Sequence, residues 1–95
     1  MQRLRRLGVD DMIILRCLVL GQSVTETAKT LSITQPAVTQ RIRKMCFVFG
    51  GDIIKRKFQG CDITPLGAKL GGMAINALEI LEETLVSVHD TVEKQ

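Results

Sequence analysis

The side chains with chemical promise in this sequence are amides, hydroxyls and cations rather than acids and bases. A polar face made of Pro36, Gln40 and Arg43, flanked by Thr39 and Lys44, is followed at some distance by the triplet Lys55-Arg56-Lys57. A glutamine amide donates and accepts through one planar group, so it can pair with the N6 and N7 edges of adenine together. Threonine can donate, accept or set its methyl against thymine. The neighbouring cations, with Arg41 among them, could neutralise phosphates and release their counterions, which gives affinity without sequence preference. The same face would also suit an ordinary solvated helix. No nucleophile, base and orienting group occur together, so no catalysis is expected. His89 stands alone, and Cys17, Cys46 and Cys61 are odd in number and widely spaced, which matches neither a metal site nor a disulfide framework. No cofactor and no small-molecule ligand are expected.

These residues need elements to hold them, and the sequence marks those elements clearly. Ser23-Val24-Thr25-Glu26 is a capping box, in which the Ser hydroxyl takes a free amide and the Glu reaches back to the cap. A short helix therefore starts at Val24, with Ala28 small enough for close helix approach. Gln35-Pro36 gives a second start, because proline is tolerated in a first turn. Across the intervening Ser32-Ile33-Thr34 two helices meet. Val38, Ile42, Met45 and Phe49 form one buried stripe on the second of them, and Gly50-Gly51 stops it.

Before this pair, Asp10 or Asp11 offers an N-cap for a helix running to about Leu20, ended by Gly21. It is apolar almost all round and needs cover on two sides, one of them from a second helix, in this chain or another. Residues 1–8 are basic, and Arg3, Arg5 and Arg6 suit either a groove-following arm or a loose tail. After the pair, Ile53 to Ile63 reads as two short strands with a turn at Gln59-Gly60. Thr64-Pro65 then opens a last helix, with threonine as cap. Along it Ala74, Leu78, Leu81, Leu85, Val88 and Val92 repeat at 4-3-4-3-4 spacing, a seam that calls for a partner helix. Gly67, Gly71 and Gly72 weaken its first turns unless they allow close packing.

Composition narrows the class. The chain has 95 residues, 45% apolar and 3% aromatic, so its core must be aliphatic and its fold mainly α. Residues 1–60 hold 11 Lys and Arg against 4 Asp and Glu, whereas residues 61–95 hold 2 against 6. The first part can approach a polyanion, nucleic acid or membrane surface, and the last part cannot. The apolar runs around Arg16 fall far short of the roughly 18 residues of a membrane span, and no cleavage site follows them. A cytoplasmic protein with no membrane partner is expected.

The residues resemble a family: the N-terminal DNA-binding domain of LysR-type transcriptional regulators. The likeness runs from about Leu15 to Gly67. It is carried by Ser23 to Ala28, by the narrow block Leu31-Ser32-Ile33-Thr34-Gln35-Pro36-Ala37-Val38-Thr39-Gln40-Arg41-Ile42, by Gly50, by Ile53-Ile54 with Arg56, and by Gly60 to Gly67. It implies a winged helix-turn-helix, a three-helix core with a two-stranded wing over residues 1–64. A linker and dimerisation helix follows over residues 65–95 and pairs antiparallel with its twin. It also implies that Gln35, Pro36, Thr39 and Gln40 face base edges in the major groove. Ser23, Thr25, Thr34 and Arg43 would then hold phosphates, with Arg56 serving the wing, where Lys55 and Lys57 add charge. The sequence departs from the family where Met45-Cys46-Phe47 replaces a usual acidic residue, and at Gln59, where the wing tip is commonly basic. The family's effector-binding domain, roughly 200 residues, has no room in this sequence.

The expected function is therefore sequence-specific binding of double-stranded DNA by a homodimer that regulates transcription. An alternative keeps the fold and changes the partner: the last helix captures a full-length relative in an inactive heterodimer.

Overall fold

The computed structural model describes residues 2–57 and 60–94, and of Leu4 the backbone alone. Its elements run α1 (Gln2–Arg5), α2 (Val9–Val19), α3 (Val24–Leu31), α4 (Gln35–Phe49), β1 (Ile54–Arg56), β2 (Cys61–Ile63) and α5 (Pro65–Glu93). The fold is mainly α, a winged helix-turn-helix followed by one long helix. Phe58 and Gln59, at the expected wing turn, lie outside the described residues.

The helix starts follow from local hydrogen bonding. At α3 the Ser23 hydroxyl accepts from the Glu26 amide at 3.1 Å, and the Glu26 carboxylate accepts from the Ser23 amide at 3.2 Å. Thr34 caps α4 by accepting from the Ala37 amide at 3.3 Å. The α3–α4 turn passes through Ser32, whose φ of 56° is the left-handed conformation that closes a helix end. Gly50, at φ 74°, ends α4 in the same way.

Two expectations at the start of the chain are corrected. Part of the basic segment is helical, as the single turn α1. The cap of α2 is Gly8 rather than Asp10 or Asp11. Asp11 lies one turn inside the helix, and its carboxylate reaches back to accept from the Gly8 amide at 2.9 Å. An acid in the first turn serves the free amides as well as a cap residue does, and sequence alone does not choose between the two positions.

Among the described residues the core joins α2, α3, α4 and α5. Ile14, Leu15 and Leu18 from α2 meet Ala28 from α3, Val38, Ile42 and Met45 from α4, Ile53 before the wing and Ala74 from α5. The second side of α2, for which another chain was an open option, is covered by α5 of the same chain. Gly71 makes this approach possible, since a Cβ there would lie 2.5 Å from the Val19 Cβ. Gly67 does the same lower down, where a Cβ would lie 2.2 Å from the Ile53 carbonyl oxygen. Gly72 has open space and no such role.

The wing is a hairpin with Ile54 opposite Ile63, Lys55 opposite Asp62 and Arg56 opposite Cys61. Thr64 anchors it to α5. Its amide donates to the Ile53 carbonyl at 3.0 Å, its hydroxyl donates to the carbonyls of Asp52 and Ile53, and the same oxygen accepts from the Gly67 amide at 3.0 Å. Among the described residues, no helix is long and apolar enough to cross a membrane.

Candidate nucleic-acid interface

α4 carries two stripes at the same period. Val38, Ile42 and Met45 point into the core, with Phe49 half-buried beyond them. The polar stripe lies outward, and Gln35, Pro36, Thr39, Gln40 and Arg43 together line one shallow depression. Burial of the first stripe is what turns the second toward solvent. All four residues expected at base edges are thus brought together, with Arg43 at their border.

A wider groove continues from this depression toward the wing. Gln35, Thr39, Arg43 and Cys46 form its α4 wall, Arg56, Lys57 and Cys61 its wing wall, and Val24, Ile42 and Ile54 its apolar floor. Lys57 Nζ stands 2.6 Å from the Asp62 carboxylate, so part of its charge is already answered within the wing. Arg56 forms no such pair among the described residues. Lys55 is exposed but absent from the groove lining, as strand alternation requires, because it and Arg56 point to opposite faces.

The hydroxyl residues divide by role. Ser23 and Thr34 spend acceptor capacity on the caps of α3 and α4, which leaves each hydroxyl hydrogen available to an outside acceptor. Thr25 accepts a hydrogen bond from the Gln35 side-chain amide, so the first turns of α3 and α4 are linked at the surface. Arg41, grouped by sequence with the surface cations, is instead engaged inside the fold. Its guanidinium lies 3.3 Å from Asp11 and 3.6 Å from Asp10.

Sequence reasoning gave Phe47 no role. It extends the outward stripe of α4 and is 79% exposed, with the Arg6 guanidinium 6.0 Å from its ring centroid. Its spacing from Gln40 and Arg43, seven and four residues, would have placed it on that face. Cys46 and Cys61 also line the groove, which their spacing in the sequence did not show. Among the described residues no group of three His, Cys, Asp or Glu is placed to hold a metal ion.

The apolar row of α5 separates into two parts. Ala74 and Leu78, expected in a dimer seam, are buried in the chain's own core, Ala74 completely. They are committed because α5 lies along α2. Leu81, Leu85, Val88 and Val92 remain exposed, Leu85 by 67%, together with Ile80 and Val86. At the boundary an apolar hollow is lined by Val9 and Ile13 of α2 and by Leu78, Leu81 and Leu85 of α5.

Comparison with known proteins agrees with this geometry. The model of the family described as "Bacterial regulatory helix-turn-helix protein, lysR family" matches residues 9–68. The Bacillus subtilis (strain 168) protein described as "Uncharacterized HTH-type transcriptional regulator YraN" is 35% identical over 74 residues, covering 78% of this chain and 26% of its own length. The "HTH-type transcriptional activator NagR" of Ralstonia sp is 27% identical over 84 residues, 88% of this chain and 28% of its own. This chain therefore spans about a quarter of the length of these curated relatives. Among solved structures, the BenM DNA-binding domain in its complex with benA site 1 DNA superposes with a TM-score of 0.79 at 21% identity. That match covers 90% of this chain and 96% of that one, and at this identity it speaks for the fold. With the family match spanning most of the sequence and the same winged architecture around the α4 face, the chain belongs to the lysR family of bacterial regulatory helix-turn-helix proteins.

Proposed function

We propose that the chain is a sequence-specific reader of double-stranded DNA that regulates transcription as a homodimer, with the N-terminal half of α4 in the major groove. The observation that carries this reading is the convergence of Gln35, Pro36, Thr39, Gln40 and Arg43 on one outward depression, continuous with a groove walled by wing cations. In it Gln35, Pro36, Thr39 and Gln40 meet base edges. Ser23, Thr25, Thr34 and Arg43 bind phosphates on the α3–α4 side, and Lys55, Arg56 and Lys57 bind them on the wing side. The relatives described as transcriptional regulators and the BenM domain solved on DNA support the same assignment.

Dimerisation follows from the exposed row of α5. Leu81, Leu85, Val88 and Val92 leave a continuous apolar strip in water, and a second antiparallel α5 would bury it. A duplex of two-fold symmetry would then be bound at two half-sites. Gel shift with genomic fragments over a salt series tests the reading. Binding that selects certain fragments and weakens steeply with salt is expected, and no bound species at low salt refutes it.

A second reading is favoured by the same exposed row: α5 captures a longer relative and makes a heterodimer that blocks its activity. Under that reading Leu81→Asp abolishes function while Gln40→Ala leaves it intact. Under the first, Gln40→Ala impairs it directly.

A further inference from the structure

The N-terminal segment and Phe47 are the features that the DNA-reading face leaves unexplained. Along α4, Pro36, Gln40, Arg43 and Phe47 follow one another at 4-3-4 spacing, the same interval as the inward stripe Val38, Ile42, Met45 and Phe49. Phe47 therefore lies on the reading face, about 10 Å beyond Gln40 along the helix axis at 1.5 Å per residue. An aromatic ring 79% exposed has no packing role in the core. Arg6 covers it at 6.0 Å, a cation–π distance. That contact brings Arg6, the residue that follows α1 with its Arg3 and Arg5, to the C-terminal half of α4.

Charge points to the occupant. Arg3, Arg5 and Arg6 are exposed, and among the described residues none of them pairs with an acid. The nearest acids in sequence, Asp10 and Asp11, are both engaged by Arg41. On the same side of α4, Lys44 and Arg43 add to the basic surface. A helix that enters the major groove by its N-terminal half leaves the groove over its bordering phosphates, since the groove is only about 12 Å wide. Ten ångströms beyond Gln40 is the region of that border.

We propose that α1, seated by Arg6 on Phe47, is an additional phosphate-contacting surface, in which Arg3, Arg5 and Arg6 grip the DNA backbone flanking the base pairs read by Gln40. This rests on the reading of α4 as a DNA-binding helix. The surface contributes affinity and register, and no base selection, because guanidinium contacts to phosphate carry no sequence information.

The test is the slope of log Kobs against log salt for the full chain on a selected duplex and on an unrelated one. The variant Arg3→Gln/Arg5→Gln/Arg6→Gln should lower the slope magnitude by about two to three, at roughly 0.9 per phosphate contact. It should weaken both duplexes equally, so that the ratio between them is unchanged. Phe47→Leu alters no charge, yet it should lower the slope in the same direction by unseating the segment. An unchanged slope in the triple variant overturns the proposal. A shallower slope in the triple variant but not in Phe47→Leu overturns the seating on Phe47. Absence of any binding by the wild-type chain refutes the DNA reading itself, a result distinct from either of these.

Discussion

Arg41 on α4 donates to the carboxylate of Asp11 on α2 across 3.3 Å, and Asp11 is only 1% exposed. The other oxygen of that carboxylate holds the Gly8 amide. One buried acid thus fixes the start of α2 and the middle of α4 relative to each other. Asp10 adds a looser contact to the same guanidinium.

Removing Arg41 leaves that carboxylate buried with a single backbone donor. Arg41→Ala should therefore destabilise the fold by about 2–3 kcal/mol. This is below the usual 3–5 kcal/mol for a broken buried pair, because the guanidinium is itself partly solvated. Urea denaturation followed by circular dichroism measures it. A loss under roughly 0.5 kcal/mol would show that the pair behaves as a surface contact.

The glycines of α5 separate close packing from simple helix weakness. Gly67→Ala and Gly71→Ala each force a Cβ into the Ile53 carbonyl or the Val19 side chain, so both should lower the melting temperature markedly. Gly72→Ala meets nothing within 4 Å and should raise stability by up to about 1 kcal/mol. Thermal melts of the three single variants give the comparison, and a stabilising Gly67→Ala would contradict the packing described.

Wing cations should differ in what they contribute to DNA affinity. Arg56→Gln should reduce the salt slope by about 0.9, the amount for one phosphate contact. Lys57→Gln should reduce it less, because Asp62 already stands 2.6 Å from the ammonium. Equal slopes for the two variants would mean that the Lys57–Asp62 pair opens on DNA.

Along α5 the effect of a charge should depend on position. Leu78→Asp places a carboxylate in the core and should unfold the chain, whereas Leu85→Asp should leave a folded monomer whose melting falls only by the lost dimer contact. Sedimentation equilibrium with thermal melts separates the two outcomes. An unaltered assembly state in Leu85→Asp would remove this row from the dimer.

Much of this architecture is legible in the sequence because it is written in local chemistry. The Ser23–Glu26 box, Thr34 before Gln35-Pro36, Thr64 before Pro65 and Gly50 each act within one turn of the residue they mark. What the sequence hides depends on which elements meet. Arg41 looks like its neighbours Arg43 and Lys44 until α2 places Asp11 beside it. Ala74 and Leu78 look like the start of an open seam until α2 covers them, for heptad spacing shows that a helix face will be buried and not by what. Phe47 follows the outward period of α4 plainly, but an aromatic residue on a polar face has no meaning until Arg6 is seen above it.

Gly67 and Gly71 let α5 sit so close to Ile53 and Val19 that the helix begins inside the DNA-reading unit and continues unbroken to Glu93. At 1.5 Å per residue it is a strut about 40 Å long. Its inner half packs along α2, and α2 in turn meets α4, so a load applied near Val92 is passed through α2 to the α4 face. Inserting one residue between Glu82 and Glu83 would turn Leu85, Val88 and Val92 by about 100° relative to Leu81 while leaving the buried contacts of Ala74 and Leu78 in place. Two chains joined by such struts would then present their reading faces at a new angle, and the spacing of DNA sites they accept would change with no alteration to any residue that touches DNA.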